Sequence, residues 1–139
     1  MGRNADEQVA LATVQGVFKD FYKKYLDLMY GNHGEKGFEG AKPAALNDFK
    51  TYLNKLNLLL QGKEYFCGEI TYIDFTIAEF IQSLVLFDAP LIEGFPNLFE
   101  HQKRIFSLPA IKAYTESERF EERPVNYTPF AHWYWSWFE

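Results

Sequence analysis

The run EITYIDFTIAEFI, residues 69–81, constrains this chain's fold more than any other stretch. From Tyr72 to Phe87, apolar and aromatic side chains fall nearly all round a helical wheel. The spacing therefore predicts a central helix buried on most of its faces. One carboxylate, Asp74, sits inside this run between Ile73 and Phe75. A carboxylate in apolar surroundings is costly unless hydrogen-bond donors meet it. Thr71, three residues earlier, supplies a reason for its presence. Thr-x-x-Asp is a short form of the capping box, in which the threonine hydroxyl accepts from the N3 amide and the acid accepts from the N-cap amide. An acid there also suits the positive end of the helix dipole. Ile70 at N′ and Phe75 at N4 have the spacing of a hydrophobic staple. Asp74 reads as a residue that holds backbone, not one that performs chemistry.

The rest of the chain repeats the helical pattern. Between about Asp6 and Met29, positions 11, 14, 18, 21, 22, 25 and 29 are apolar or aromatic, which predicts a long amphipathic helix. The glycine-rich stretch GNHGEKGFEGAKP follows and reads as a loop, with Pro43 placed to open the next helix. A second amphipathic helix is expected from Ala44 to Leu60. After the central helix, Pro90, Gly94 and Pro96 predict a break. A fourth helix is expected near Asn97 to Phe106, and a fifth from Pro109 to about Ser117. No segment alternates as a strand does. The expectation is an all-α bundle of five helices or so, ending in the aromatic tail FAHWYWSWFE.

A chain of 139 residues accommodates one domain with a real core. Its net charge of −5, with both signs mixed throughout, argues against electrostatic binding to nucleic acid or to anionic lipid. One cysteine, Cys67, excludes an internal disulfide and fits a reducing compartment. The start MGRNADEQV lacks the apolar core of a signal peptide, and no run has the length of a membrane span. A cytoplasmic chain is expected.

Local motifs for chemistry are few. His33, His101 and His132 share no metal-ligand spacing with one another or with Cys67, and each reads as a surface residue, so no metal site is expected. The glycine-rich stretch fails the P-loop pattern. Two positions on the first helix stand out. Gly16 lies one turn before Asp20, and its missing side chain would let a ligand or another backbone approach the carboxylate. A solvated acid on a helix face is the plainer reading. Tyr30 ends the row Tyr22, Leu26, Tyr30, where packing is one role and hydrogen-bond donation at a cleft edge another. Asp20 and Tyr30 are ten residues apart, about 15 Å along a helix, so they can flank an extended ligand but not one atom of it.

Several motifs in order resemble the helical C-terminal domain of cytosolic glutathione S-transferases, most closely the mu, pi and sigma group. The run YFCGEITYIDFTIAEF resembles that family's connector and buried-helix motif. FPNLFEHQKRIFSLPAIKAYTESERF with the following RPV resembles its last helices, and GRNADEQV the entry to its first helix. The resemblance covers about residues 3–126. It implies a family-type helical domain over 1–126, with the aromatic residues 127–139 packing on it or on a partner.

The resemblance also implies a function. In the family, an N-terminal thioredoxin-like domain activates the glutathione thiol, and that part is expected to be missing here. The helical half then supplies a hydrophobic electrophile pocket, a dimer surface and one acid that contacts the neighbouring subunit's glutathione. Asp20 corresponds to that acid, and Tyr30 to a tyrosine donating hydrogen bonds on the electrophile side. Tyr22, Leu26, Asn126 and Tyr127 are the pocket-lining candidates. Glutathione enters as co-substrate, with no further cofactor, no nucleic acid and no membrane partner. A homodimer is expected, and the chain alone is not expected to be a competent enzyme. The alternative is a non-catalytic interaction or assembly module of the same fold.

Overall fold

The computed structural model describes residues 5–118, which form six α-helices and one 3₁₀ turn without a named strand among them. The helices are α1 (Ala5–Tyr30), α2 (Gly37–Leu59), α3 (Tyr72–Phe87), α4 (Ala89–Glu93), α5 (Pro96–Phe106) and α6 (Pro109–Thr115), with the 3₁₀ turn at Gly34–Lys36. The fold is all-α, as expected. Residues 127–139, the expected aromatic tail, lie outside the described residues, as do Asn126 and His132.

Two layers make the bundle: α1 packs mainly on α2, and α3 mainly on α5 and α4. The core runs between them. Phe21, Leu28 and Met29 from α1 meet Phe49, Leu53 and Leu56 from α2 and Ile77, Ile81 and Leu84 from α3, all of them buried. Each such side chain contributes about 1.5–3 kcal/mol by leaving water. Phe80 of α3 is the hub where the layers join, with its ring edge-on to Phe18, Phe21, Tyr22 and Tyr25 of α1.

The central helix begins and ends where its sequence predicts, but it is less enclosed than expected. Tyr72 and Phe75 in its first turn are 47% and 39% exposed. Ile70, the partner of Phe75 at staple spacing, is 41% exposed. Both ends of that pair sit at the surface.

The second helix departs from the sequence reading. It starts at Gly37, six residues before Pro43, which lies inside it. Proline there removes one hydrogen bond to the carbonyl four residues earlier, that of Glu39. Both Pro43 and Glu39 are exposed, so water can serve the freed carbonyl. The gain lies on the opposite face, where Phe38, Ala41, Ala45 and Leu46 pack against the core and Phe38 meets the Phe87 ring at 6.2 Å. Packing outweighs the broken ladder. The expected loop shrinks to residues 31–36, where Gly34 adopts a φ of 61°. The break around Pro90 holds a further short helix, α4, because Leu91 and Ile92 find buried positions.

The start of α5 is satisfied from a distance. Its N-cap residue, Phe95, offers no side-chain acceptor. Asn57 of α2 takes that role: its Oδ1 accepts from the Asn97 amide at 3.1 Å and the Leu98 amide at 3.4 Å, while the Asn97 side chain donates to the Asn57 carbonyl at 3.2 Å. Helix ends leave such amides without partners of their own, so this contact fixes α5 against α2.

Candidate functional site

The exposed charges of α1 face a cleft of about 730 Å³ shared with α2. Asp20, Leu26 and Tyr30 of α1 line it together with Tyr52 of α2. Helical periodicity places Asp20 and Tyr30 in the cleft at its two ends, with Leu26 between them. Tyr52 is held in place by stacking on Phe21, with ring centroids 5.6 Å apart and planes at 14°. The Lys55 ammonium lies 5.4 Å from the Tyr52 ring centroid, a cation–π distance.

Gly31 closes the cleft behind Tyr30. Its amide donates to the Asp27 carbonyl at 2.8 Å. A Cβ at this position would stand 2.2 Å from that same carbonyl oxygen, so only glycine allows the approach. His33 caps the same helix end, its Nε2 lying 2.9 Å from the Leu28 carbonyl oxygen. That orientation makes Nε2 the donor.

Chemically the cleft combines carboxylates, ammonium groups, two phenols and one apolar wall. It can hold a polar, elongated molecule at one end and an apolar group near Leu26 and Tyr30. Asp20, Leu26 and Tyr30 come together here. Tyr22 does not: it lies 41% exposed in a separate groove between α1 and α3. Asn126 and Tyr127 fall outside the described residues. Gly16 has open space around it and no backbone close by.

The capping cluster lies elsewhere, in the interior. Asp74 is fully buried and accepts four hydrogen bonds: from the Thr71 amide (2.9 Å) and hydroxyl (3.5 Å), the Phe66 amide (3.1 Å) and His101 Nε2 (2.8 Å). The Thr71 side chain faces the N3 amide and completes the reciprocal box. His101 corrects the sequence reading, because it is wholly buried instead of at the surface. Its position carries the reason: Leu98, His101 and Ile105 follow helical spacing and share the buried face of α5. The ring also packs edge-on to Phe66 at 5.0 Å. His101 Nδ1 has no hydrogen-bond partner among the described residues.

Cys67, buried beside this cluster, has its thiol pushed above the ordinary value by burial, with a smaller opposing effect from a hydrogen bond to Thr71. Among the described residues no group of three histidine, cysteine or acidic side chains could hold a metal ion. No helix there is long and apolar enough to cross a membrane. Tyr52, Gly31 and His101 are the residues that sequence reasoning missed.

Residues 19–118 match the protein family described as glutathione S-transferase, C-terminal domain. Curated relatives include Glutathione S-transferase P 1 of Bufo bufo, 29% identical over 128 residues that cover 90% of this chain and 60% of that protein. Glutathione S-transferase Mu 3 of Homo sapiens is 27% identical over 133 residues, covering 95% of this chain and 57% of that protein. The chain thus spans about three-fifths of the length of such relatives. The solved structure of NaGST-2 shares the fold, with a TM-score of 0.62 at 20% identity over 87% of this chain and 62% of that one. With the matched region extending from the middle of α1 past the end of α6, the chain belongs to the glutathione S-transferase C-terminal domain family.

Proposed function

We propose that this chain is the helical portion of a glutathione transferase that joins the glutathione sulfur to a hydrophobic electrophile. The thiolate is the nucleophile, a new S–C bond forms, and a leaving group departs or a multiple bond is opened. The thiol is activated on a thioredoxin-like unit, and the helical portion contributes orientation and a partly dehydrated wall. Asp20 anchors the γ-glutamyl ammonium of glutathione bound to a neighbouring subunit. Tyr30 donates a hydrogen bond to oxygen that gains charge on the electrophile. Leu26 packs against the apolar part of the electrophile. A cytoplasmic homodimer belongs to the same reading.

The observation that carries it is the shared cleft: Asp20, Leu26 and Tyr30, singled out by resemblance along one helix, line a single depression with Tyr52. The test is conjugation of glutathione to an aryl chloride by a protein in which this chain is joined to a thioredoxin-like domain. Turnover with Asp20 and Tyr30 intact supports the reading. Folded, dimeric protein with neither glutathione binding nor turnover overturns it.

A second reading, a non-catalytic interaction module of the same fold, is favoured by the exposed Ile70, Tyr72 and Phe75 around the start of α3. Exposed apolar side chains in such a group suit a protein contact. Glutathione binding to the joined protein separates the two readings, because the module requires none.

A further inference from the structure

Two groups from outside α1 serve the carbonyls of its last turn. The Gly31 amide donates to the Asp27 carbonyl at 2.8 Å, and His33 Nε2 donates to the Leu28 carbonyl at 2.9 Å. The helix ends at Tyr30, so the amide of Asn32, the regular partner four residues on, does not serve Leu28. The His33 side chain takes its place. Tyr30 sits on the turn that these two bonds close, and a terminal turn without such partners frays.

The loop is shaped to deliver the ring. Asn32 Oδ1 accepts from the Gly34 amide at 2.9 Å, and Gly34 takes a φ of 61°. That Asx turn folds the chain back over the helix end. His33 is half-buried there, beside a hollow of about 180 Å³ between α1 and α2. Ala41, Ala44 and Ala45 line the α2 side of this hollow. Side chains so small offer a ring few contacts, so on that side the hydrogen bond to Leu28 sets where the ring lies. His33 does not line the cleft that holds Asp20 and Tyr30.

We propose that His33 is a positioning residue for Tyr30, an inference that rests on the reading of Tyr30 as the donor to the electrophile's oxygen. By holding the Leu28 carbonyl, His33 fixes the last turn of α1 and with it the direction in which the Tyr30 phenol enters the cleft. It acts on the reaction only through that turn. A small displacement of the phenol costs rate where the electrophile has an oxygen to receive its hydrogen bond. Electrophiles without such an oxygen are spared, and so is glutathione affinity.

The experiment is a double-mutant cycle of His33→Ala and Tyr30→Phe in the protein joined to a thioredoxin-like domain. Benzylideneacetone, whose ketone oxygen gains charge when the thiolate adds to its double bond, is compared with benzyl chloride, which has no oxygen. His33→Ala is expected to lower kcat for the ketone about fivefold, to leave benzyl chloride and glutathione affinity within about twofold, and to add nothing once Tyr30 is Phe. His33→Gln, whose amide can still donate to the Leu28 carbonyl, restores most of the loss. In the full chain, NMR is expected to show Tyr30 ring resonances shifted by His33→Ala and returned by His33→Gln, with circular dichroism verifying the fold. A lowered kcat in Tyr30→Phe beside full kcat in folded His33→Ala overturns the proposal alone, as do equal losses from His33→Ala in both backgrounds. Unchanged kcat for the ketone in Tyr30→Phe overturns the reading of Tyr30 and this proposal with it.

Discussion

His101 Nε2 lies 2.8 Å from Asp74 Oδ1, and both side chains are completely buried. The same oxygen accepts the Phe66 amide, and its partner oxygen accepts the Thr71 amide. Removing the carboxylate strands the Thr71 and Phe66 amides and His101 Nε2 at once and frees the Thr71 hydroxyl. Asp74→Ala is expected to cost about 3–5 kcal/mol, as for a buried pair broken on one side. His101→Phe is expected to cost less, about 1–2 kcal/mol, because it removes one charge-assisted bond but also the unpartnered Nδ1. Urea denaturation of both variants checks the order. A larger loss for His101→Phe contradicts it.

Asn57 is the remote cap of α5. Asn57→Ala leaves the Asn97 and Leu98 amides without their acceptor. The expected loss is about 1–2 kcal/mol, in the range of a lost N-cap. Asn57→Asp keeps an acceptor at the same place and is expected to stay within about 0.5 kcal/mol of the parent chain. Chemical denaturation midpoints measure both.

Gly31→Ala brings a Cβ to 2.2 Å from the Asp27 carbonyl oxygen. The last turn of α1 has to open, and Tyr30 moves with it. A loss of about 1–3 kcal/mol is expected, as for other forced insertions into a filled space. A thermal melt reads the loss, and shifted Tyr30 ring resonances report the displacement.

Cys67 gives the chain a pH dependence. Burial raises its thiol above the ordinary value of 9.0, so the folded chain holds the proton more tightly than the unfolded chain. Stability supplied by the neutral thiol is fully present below about pH 9 and falls as pH climbs towards the folded value. Cys67→Ala removes that component. The difference in urea midpoint between parent and variant should therefore shrink or reverse from about pH 8 to about pH 10. A difference that grows with pH contradicts the sign.

Asp20 and Tyr30 carry the proposed chemistry, and each has its own readout in the joined protein. Asp20→Asn is expected to weaken glutathione about tenfold or more, the worth of a hydrogen bond to a charged group. Tyr30→Phe is expected to lower kcat for electrophiles with an oxygen acceptor and to spare glutathione affinity. Both side chains are exposed, so the fold should survive. Unchanged glutathione affinity in Asp20→Asn removes it from the site.

Legibility varied with how local the cause was. The α3 helix was readable to the residue at both ends, because its cap and its apolar run are contiguous in sequence. The start of α2 was not. Four glycines and Pro43 spoke for a loop, and the packing of Phe38 and Ala41 that overrules them involves a distant surface. His101 occupied a readable place, on the Leu98 and Ile105 face, but a polar residue type masked it. In the candidate site, Asp20 and Tyr30 could be paired along one helix. Tyr52 could not be added, since its place depends on how α2 crosses α1.

The hydrogen bonds that converge on the Asp74 carboxylate span 3, 8 and 27 residues of chain. Closing a loop costs entropy that grows only with the logarithm of its length. Once the shortest tie has formed, each longer one starts from a chain already partly gathered. The connector, the start of α3 and the face of α5 therefore assemble as nested short loops around one anion. The α3–α5 half can reach its topology with little long-range search, before α1 and α2 close over Phe80.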